Sequence, residues 1–302
     1  MMPDTSTPLA SNPIASNQTT LERTSPLPTG QIRLIVVDLD GTTVGESNVI
    51  RPAVKQAVRA AQAQGIQVAV ATGRMFRSAL RFHQELESTL PLMAYQGAFI
   101  KEPTTEEVLR HWTVPRQAAL QLLDYFEQPA LRSLLSVHFY INDQLYVRQI
   151  TPETQLYAQR SQIEPIAVGD LRTVLDLDAT KILALSDDPE VINQILSSLR
   201  EQYTPAELYF TKSVATFFEA TNPLVNKGTA VQYLTEELLG LKPENVMAIG
   251  DNFNDLEMIQ YAGVGVAMGS APVEVQSSAQ WVAPDVEADG VAAAIERFVL
   301  SG

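Results

Sequence analysis

The first part of the chain alternates short apolar runs with a segment of helical spacing. The apolar runs at 34–37, 67–71 and 92–95 predict buried strands, whereas 53–64 predicts a helix that ends at Gly65. Successive parallel strands need a crossover segment between them, which is usually a helix. The alternation therefore indicates a parallel sheet that is covered by helices on both faces.

The alternation becomes less regular between about residues 101 and 222. The pattern there predicts a strand at 181–185, a helix at 189–202 and two antiparallel hairpins, formed by 136–141 with 144–150 and by 207–210 with 216–220. After Asn222 the strand and helix rhythm resumes, with a helix at 228–239 and a strand at 245–249. We interpret the middle section as a separate unit inserted into the outer one.

These elements predict an α/β fold with a Rossmann-like, doubly wound parallel sheet core and an inserted α+β cap domain. We assign residues 31–100 and 223–302 to the core and residues 101–222 to the cap. Residues 1–30 are rich in Ser, Thr, Pro and Asn, and they predict a disordered tail. Because open α/β sheets bind ligands at the carboxyl ends of their strands, we expect the active site in the cleft beneath the cap.

The composition excludes several classes of function. The 302 residues include 35 acidic and 21 basic side chains, and the resulting formal charge of −14 repels nucleic acid. No uncharged apolar run approaches the roughly 20 residues that span a bilayer, so we expect no membrane partner. The absence of cysteine excludes disulfides and thiolate catalysis and is compatible with a cytoplasmic location. The composition leaves the oligomeric state open.

Polar side chains follow three of the predicted strands, at the edge where parallel strands end together. They are Asp38, Asp40, Thr72, Asp251, Asn254 and Asp255. One such cluster is an ordinary turn, but three at the ligand-binding edge indicate a site. Two carboxylates one residue apart repel each other unless a cation lies between them, and Asp251 completes an oxygen-only site that suits Mg²⁺. The scattered His83, His111 and His138 indicate no zinc site, and we interpret them as packed or surface imidazoles.

The same clusters, with one lysine, supply four candidate catalytic residues for phosphoryl transfer, namely Asp38, Asp40, Thr72 and Lys227. Asp38 is the candidate nucleophile, and Asp40 is the candidate acid and base. Thr72 and the amide of Gly73 are candidate hydrogen-bond donors to the phosphoryl group. Lys227 starts a predicted helix and offers both an ammonium and a helix N-terminus. A lone lysine is usually solvated, but this one stands where a phosphate site requires a cation.

Four ordered motifs resemble those of the haloacid dehalogenase superfamily. They are Asp38-Leu39-Asp40-Gly41-Thr42, Ala71-Thr72-Gly73-Arg74, Asn226-Lys227-Gly228 and Gly250-Asp251-Asn252-Phe253-Asn254-Asp255. The stretch 262–269, continuing to Asp289-Gly290-Val291, resembles the Cof-type phosphatase branch of that superfamily. The insertion between the second and third motifs resembles the type IIB cap arrangement and disfavours a phosphomutase. Gly263 to Gly269 lacks the spacing of a dinucleotide-binding fingerprint, and we interpret its glycines as structural.

The resemblance implies a Mg²⁺-dependent phosphatase and assigns a role to each matching position. Asp38, Asp40 through its backbone carbonyl, and Asp251 are the implied metal ligands. Asp255 is implied to lie near the water ligands of the metal. The implied phosphate-binding positions are Leu39, Thr72, Gly73, Lys227 and Asn254. The implied substrate is a small phosphorylated metabolite, such as a sugar phosphate or a phosphorylated cofactor, cleaved through an aspartyl-phosphate on Asp38.

Two positions depart from the pattern of the Cof-type branch, and two other functions stay open. Gln96 stands where Asn is usual before Gly-Ala, which affects a loop-positioning hydrogen bond, and Gln276 stands where Lys is common. Neither change removes a catalytic group. The alternatives are a catalytically quiet phosphate- and metal-binding regulator, and a phosphotransferase or phosphomutase. We expect the cap to set specificity, with Arg74 among the residues that face the cleft.

Overall fold

The computed structural model describes residues 31–301, and the predicted tail at residues 1–30 lies outside that range. The strands are β1 (Leu34–Val37), β2 (Gln67–Val70), β3 (Leu92–Ala94), β4 (Phe99–Lys101), β5 (Val108–His111), β6 (Ser136–Ile141), β7 (Gln144–Val147), β8 (Pro165–Ala167), β9 (Lys181–Leu185), β10 (Tyr209–Thr211), β11 (Phe217–Thr221), β12 (Val246–Gly250), β13 (Val264–Ala267) and β14 (Trp281–Val282). The α-helices are α1 (Pro52–Ala63), α2 (Phe76–Glu85), α3 (Arg116–Phe126), α4 (Pro152–Ser161), α5 (Pro189–Gln202), α6 (Lys227–Gln232), α7 (Leu256–Tyr261), α8 (Val273–Ser278) and α9 (Gly290–Ile295). None of these helices combines the length and the apolar character that crossing a bilayer requires.

A five-stranded parallel sheet forms the centre of the structure, in the order β14-β13-β12-β1-β2. The central strand β1 is buried at all four positions. Ile35 and Val37 belong to one apolar cluster, whereas Leu34 and Val36 belong to another. Because successive side chains of a strand point to opposite faces, the sheet is covered on both sides. The α/β fold class with a parallel sheet core is thereby confirmed.

A second sheet has six strands in the order β10-β11-β9-β6-β7-β8 and is antiparallel except for the β7–β8 pair. One face packs against α3 and α5, in a separate apolar cluster that includes Ile182 and Ala184 of β9. The alternate residues Leu183 and Leu185 share a cluster with Val37 of β1. The sheet therefore turns one face to its own helices and the other towards the parallel sheet.

Several strands begin or end at other residues than predicted, because hydrogen bonding to neighbouring strands determines the extent of a strand. β10 and β11 begin at Tyr209 and Phe217, where their registers with neighbouring strands start. β7 ends at Val147, which pairs with both β6 and β8, and does not continue to residue 150. The small antiparallel sheet β3-β4-β5 was not predicted, and its β4–β5 pair spans the predicted boundary after residue 100.

The helices show the same mixture of agreement and difference. The helix predicted at 189–202 has those bounds in α5. The Asp188 side chain caps its N-terminus by accepting a hydrogen bond from the Glu190 N–H. The helix predicted at 228–239 begins one residue earlier, at Lys227, and continues as a π-helical turn at Tyr233–Leu238. Apolar periodicity does not distinguish an α-helix from a π-helical turn, because both can bury one face.

His138 on β6 is fully buried between aromatic rings. Its Nε2 lies 2.9 Å from the Thr154 Oγ1 of α4, and its ring contacts that of Tyr157 edge-on. Burial, followed by the charge of Lys181, lowers the pKa of His138 to about 3 from its ordinary 6.5. Between these two values the unfolded chain binds more protons than the folded protein. The protein therefore loses stability as the pH falls through this window.

We expect His138→Gln to remove this acid sensitivity, because glutamine stays neutral and can still hydrogen-bond Thr154. Relative to the variant, the unsubstituted protein should lose about 2 kcal/mol of unfolding free energy between about pH 7.5 and pH 5. Urea unfolding at a series of pH values measures the difference. The comparison variant is His111→Gln, at a residue that is exposed overall although burial of its ring lowers its pKa from the ordinary value, and it should keep most of the slope. Equal pH slopes for His138→Gln and the unsubstituted protein would contradict the assignment.

Candidate active site

The loop after β1 folds into a compact turn that brings its aspartates to the end of the parallel sheet. The carbonyl of Leu39 accepts hydrogen bonds from the three backbone N–H groups of residues 42–44. Gly41 has a φ of +82°, and a Cβ on it would collide with the Asp251 carboxylate. Only glycine fits both the backbone conformation and the close approach. The turn thus lies directly against the loop that follows β12.

Lys227 lies at the start of α6 and points into the interior. The Asn226 side chain caps this helix by accepting the N–H of Thr229 at 2.8 Å. The Lys227 side chain is 0% exposed, and its Nζ donates to Asp38 Oδ1 at 2.6 Å and to Asp255 Oδ1 at 2.5 Å. Asp255 and Asp38 hold its ammonium, so their charges raise the pKa of Lys227 despite its burial. The lysine is therefore a buried cation between two carboxylates, and the solvated alternative does not apply.

Three buried or half-buried carboxylates converge at the end of β1 and β12. Oxygens of Asp38, Asp251 and Asp255 all lie within 4.8 Å of one another. Burial raises the pKa of Asp38 well above its ordinary value, against the opposing charge of Lys227. Burial and then the charge of Asp255 raise the pKa of Asp251 to about 7. Three carboxylates face one ammonium, and this oxygen-only donor set fits a divalent cation such as Mg²⁺.

Asp255 differs from the other two carboxylates because protein donors occupy both of its oxygens. Oδ1 accepts from Lys227, and Oδ2 accepts from the backbone N–H groups of Asp251 and Asn252 at 2.9 and 3.1 Å. Among residues 31–301, the Asp251 carboxylate accepts a side-chain hydrogen bond only at Oδ1, from the hydroxyl of Thr42 at 2.8 Å. The geometry therefore leaves Asp251 available to a metal and uses Asp255 to hold the loop and the lysine.

Asp40 faces the opposite side of the site and is bound by arginine. Nε and Nη2 of Arg74 donate to its two carboxylate oxygens, each at 2.7 Å, and Arg160 of α4 approaches within 3.5 Å. Burial favours the neutral acid, but the hydrogen bonds and charge of Arg74 outweigh it and lower the pKa of Asp40. Asn48 accepts from Arg74 Nη2 and donates to the Arg160 backbone carbonyl. This network links the loop after β1 to the six-stranded sheet unit.

The remaining predicted phosphate-binding positions line the same end of the sheet. Thr72 and Gly73 follow β2, and the Thr72 hydroxyl accepts the N–H of Arg74 at 3.2 Å. Asn254 donates through Nδ2 to Gln96 Oε1 at 3.1 Å, whereas its buried Oδ1 has no partner among the described residues. Leu39 is fully buried, and its side chain belongs to the apolar core. The structure brings all four predicted motifs together.

A cavity of about 580 Å³ opens between these loops and the six-stranded sheet. The predicted site residues on its wall are Asp38, Asp40, Gly73, Asp251 and Asn254, and Arg74 lies beside them. The opposite wall includes Tyr157, Arg160, Lys181, Leu183, Leu185, Phe217 and Glu219. The cavity therefore has a polar floor of predicted catalytic groups and a roof that combines apolar side chains with charged ones.

Sequence reasoning missed two charged residues of the roof. Lys181 on β9 and Glu219 on β11 are each 2% exposed and form an ion pair at 3.3 Å. Each is the lone charged residue of an apolar strand, which is the signal that could have identified them. Gln96, noted as a departure, is also buried and contacts Glu219.

Three comparisons with known proteins agree on one family. A family model described as haloacid dehalogenase-like hydrolase matches residues 35–295. The protein YxeH of Bacillus subtilis strain 168 is 32% identical over 279 residues, which cover 89% of this chain and 99% of YxeH. The 5-amino-6-(5-phospho-D-ribitylamino)uracil phosphatase YitU of the same strain is 29% identical over 273 residues, covering 88% and 97%. The crystal structure of a haloacid dehalogenase-like hydrolase from Bacteroides thetaiotaomicron has a TM-score of 0.77 at 28% identity, covering 88% of this chain and 99% of that one.

We expect Lys227→Met to destabilise the protein strongly, because it leaves buried carboxylates without their counter-charge. Breaking a buried ion pair by removing one partner costs about 3 kcal/mol or more of unfolding free energy. Urea unfolding at neutral pH measures the loss. The control is Lys55→Met, at a half-exposed pair with Glu85 of 3.0 Å, which should cost less than about 1 kcal/mol. Equal losses in the two variants would show that Lys227 is not the counter-ion of the cluster.

Proposed function

We propose that this chain, which belongs to the haloacid dehalogenase-like hydrolase family, hydrolyses small phosphorylated metabolites through an aspartyl-phosphate on Asp38 and uses Mg²⁺. The family match and the named relatives confirm the resemblance to Cof-type phosphatases and identify the chain as a phosphoric monoester hydrolase. The observation that supports an aspartyl-phosphate mechanism is the position of Asp38. Its carboxylate touches Lys227, adjoins Asp251 and faces the cavity.

The proposed metal ligands are Asp38, Asp251 and the backbone carbonyl of Asp40. Bound Mg²⁺ supplies positive charge that offsets these carboxylates and the phosphate ester. Asp255 is proposed to act through its neighbours, because its oxygens already bind Lys227 and two backbone amides. The formal charge of the chain is −14, so this local concentration of positive charge decides whether an anionic substrate can enter.

The proposed chemistry has two displacement steps at phosphorus. In the first, a bond forms from the Asp38 carboxylate oxygen to phosphorus as the ester bond breaks, and Asp40 gives its proton to the leaving oxygen. In the second, Asp40 takes a proton from water, the water oxygen attacks phosphorus, and Asp38 leaves as a carboxylate with release of inorganic phosphate. Lys227, Thr72, Asn254 and the amides of Leu39 and Gly73 are the proposed donors to the phosphoryl oxygens.

The roof of the cavity is the proposed specificity surface of a cap formed by residues 101–222. Leu183, Leu185 and Phe217 present apolar surface above the polar floor, which suits a leaving group with an apolar or ring-shaped part. The relative YitU is named for a phosphate ester whose leaving group carries a uracil ring. We propose a cytoplasmic phosphorylated metabolite of comparable size as the substrate.

We expect Asp38→Asn to lose phosphatase activity by about 1,000-fold or more, because an amide is a poor nucleophile. Release of inorganic phosphate from an aryl phosphate, and then from a panel of phosphorylated metabolites, measures the activity. The activity should need Mg²⁺ and disappear with a chelator. The control Asp176→Asn changes an exposed carboxylate outside the cavity and should retain full activity.

An Asp38→Asn variant that stays active would rule out the aspartyl-phosphate mechanism. Binding of phosphorylated metabolites without turnover by the unsubstituted protein would favour the regulatory alternative. Transfer of the phosphoryl group to a hydroxyl compound in preference to water would favour a phosphotransferase.

We expect Phe217→Ala to weaken recognition of the leaving group while it leaves phosphoryl binding intact. The ring lies on the roof and contacts Tyr157 at 6.0 Å between centroids. The KM for an aryl phosphate should rise about tenfold, as expected for the loss of an apolar contact of roughly 1.4 kcal/mol. Inhibition by inorganic phosphate, which has no leaving group, is the internal control and should not change. An equal rise in both constants would place Phe217 in phosphoryl binding instead.

A further inference from the structure

A buried chain of hydrogen bonds runs from the six-stranded sheet to the phosphate-binding loops. The Glu219 carboxylate accepts from Lys181 Nζ at 3.3 Å, from Gln96 Nε2 at 3.1 Å and from the hydroxyl of Ser213. Gln96 Oε1 in turn accepts from Asn254 Nδ2 at 3.1 Å. Lys181, Glu219 and Gln96 are each at most 2% exposed. The chain thus joins two strands of the roof to a residue of the floor.

The direction of each hydrogen bond in this chain is determined by the carboxylate at its start. A carboxylate accepts but does not donate, so Gln96 must turn its NH₂ group to Glu219 and its oxygen away. That oxygen can then bind only a donor, so Asn254 must turn its own NH₂ group to Gln96. Asn254, which lines the cavity, is left with a second N–H and a buried Oδ1 that has no partner within the described part of the chain. The orientation of the Asn254 amide therefore depends on Glu219, two residues away along the chain of bonds.

The backbone of Gln96 positions a second phosphate-binding group. Its N–H donates to the carbonyl of Thr72 at 2.9 Å. In a planar trans peptide the carbonyl and the following N–H point in opposite directions, so this bond also determines where the Gly73 N–H points. Lys181 Nζ binds the carbonyl of Gly73 at 2.9 Å and so anchors the next peptide. A Cβ on Gly73 would approach Gln96 Nε2 to 2.5 Å, which leaves no room for another residue.

The backbone at this point is itself held in an unfavourable conformation. Tyr95 and Gln96 have φ values of 52° and 61°, in the left-handed region that side chains rarely adopt. Such residues persist where the surrounding contacts over-determine them, and they are concentrated at functional sites. Here Gln96 is held by contacts with Thr72, Glu219 and Asn254, and Tyr95 is held by the Arg74 carbonyl and the Asp143 carboxylate.

We propose that Lys181, Glu219 and Gln96 are positioning residues that orient the Gly73 N–H and the Asn254 amide towards the phosphoryl group. This inference rests on the proposed function, since it assigns these two groups to phosphoryl binding. None of the three residues has to touch the phosphoryl group. Through these contacts the six-stranded sheet helps to complete the phosphate site. Tight binding of a phosphate ester should therefore require that this sheet contacts the loops of the parallel sheet.

The test compares Gln96→Leu and Glu219→Gln with the unsubstituted protein, using inorganic phosphate in the presence of Mg²⁺ as the probe. Gln96→Leu removes both side-chain bonds at nearly constant volume, and Glu219→Gln removes the charge that orients Gln96. Calorimetry should show phosphate binding about tenfold weaker in each variant, as expected for the loss of one oriented hydrogen bond. The KM for an aryl phosphate should rise together with the Kd for inorganic phosphate. The double variant should be little worse than either single one, because both act through one chain.

The control is Glu237→Gln, which loosens a different contact between the same two units. Glu237 accepts a hydrogen bond from Arg110 Nη2 at 2.9 Å, away from the Tyr95–Gln96 segment. This variant should leave the phosphate Kd unchanged even if the melting temperature falls. Equal weakening in Glu237→Gln, or an unchanged Kd in folded Gln96→Leu, would overturn the positioning role.

Binding of inorganic phosphate needs no turnover, so the two proposals can fail separately. An unsubstituted protein that binds phosphate but hydrolyses no ester would overturn the proposed function, and the Kd values would still decide the positioning role. Conversely, an active enzyme whose Gln96→Leu and Glu219→Gln variants keep their phosphate Kd and KM would retain the proposed function and lose this inference.

Discussion

The site depends on one buried ion pair network, in which Lys227 lies between Asp38 and Asp255. Charges are costly to remove from water, and this cost is offset only when each charge meets a partner with good geometry. The parallel sheet provides that geometry, because Asp38 follows the central strand β1 and Asp255 follows its neighbour β12. The helix that starts at Lys227 completes the set from a third direction. Without the lysine, the carboxylates would lose the buried counter-charge that Asp38 and Asp255 contact directly.

Much of the fold and floor of the site could be predicted because local patterns carry the information. β1 is buried on both faces, so its apolar run is uninterrupted, and the polar residues that follow must lie at the sheet edge. The predicted nucleophile Asp38 directly follows β1, and the cation Lys227 stands at the start of α6. The roof is different. Lys181 and Glu219 lie on otherwise apolar strands, and their polar groups contact Gly73 and Gln96 of the other unit. Their burial is a tertiary property, and no pattern within either strand encodes the partner.

Asp40 has to act both as an acid and as a base in the proposed chemistry, and its contact with Arg74 affects the two roles differently. A general acid must hold a proton, yet the two hydrogen bonds from Arg74 favour the ionised carboxylate and lower the pKa of Asp40. The ionised form suits the second proposed step, in which Asp40 takes a proton from water. The first step needs the arginine contact to weaken as the leaving group develops charge. A substrate anion near Arg74 would compete for the guanidinium and free Asp40 in this way.

The distribution of charge explains how an acidic protein can bind a phosphate ester. Lys181, Arg160 and Arg74 line the cavity and Lys227 lies beneath it, but each of them is paired with a carboxylate, so anion binding depends on these four cations together with the proposed metal ion. Two of these cations come from the roof and two from the floor. A phosphate ester in the open between separated sheets would meet only half of that positive charge. The roof therefore contributes charge as well as apolar surface to the cavity in which we propose that the ester binds.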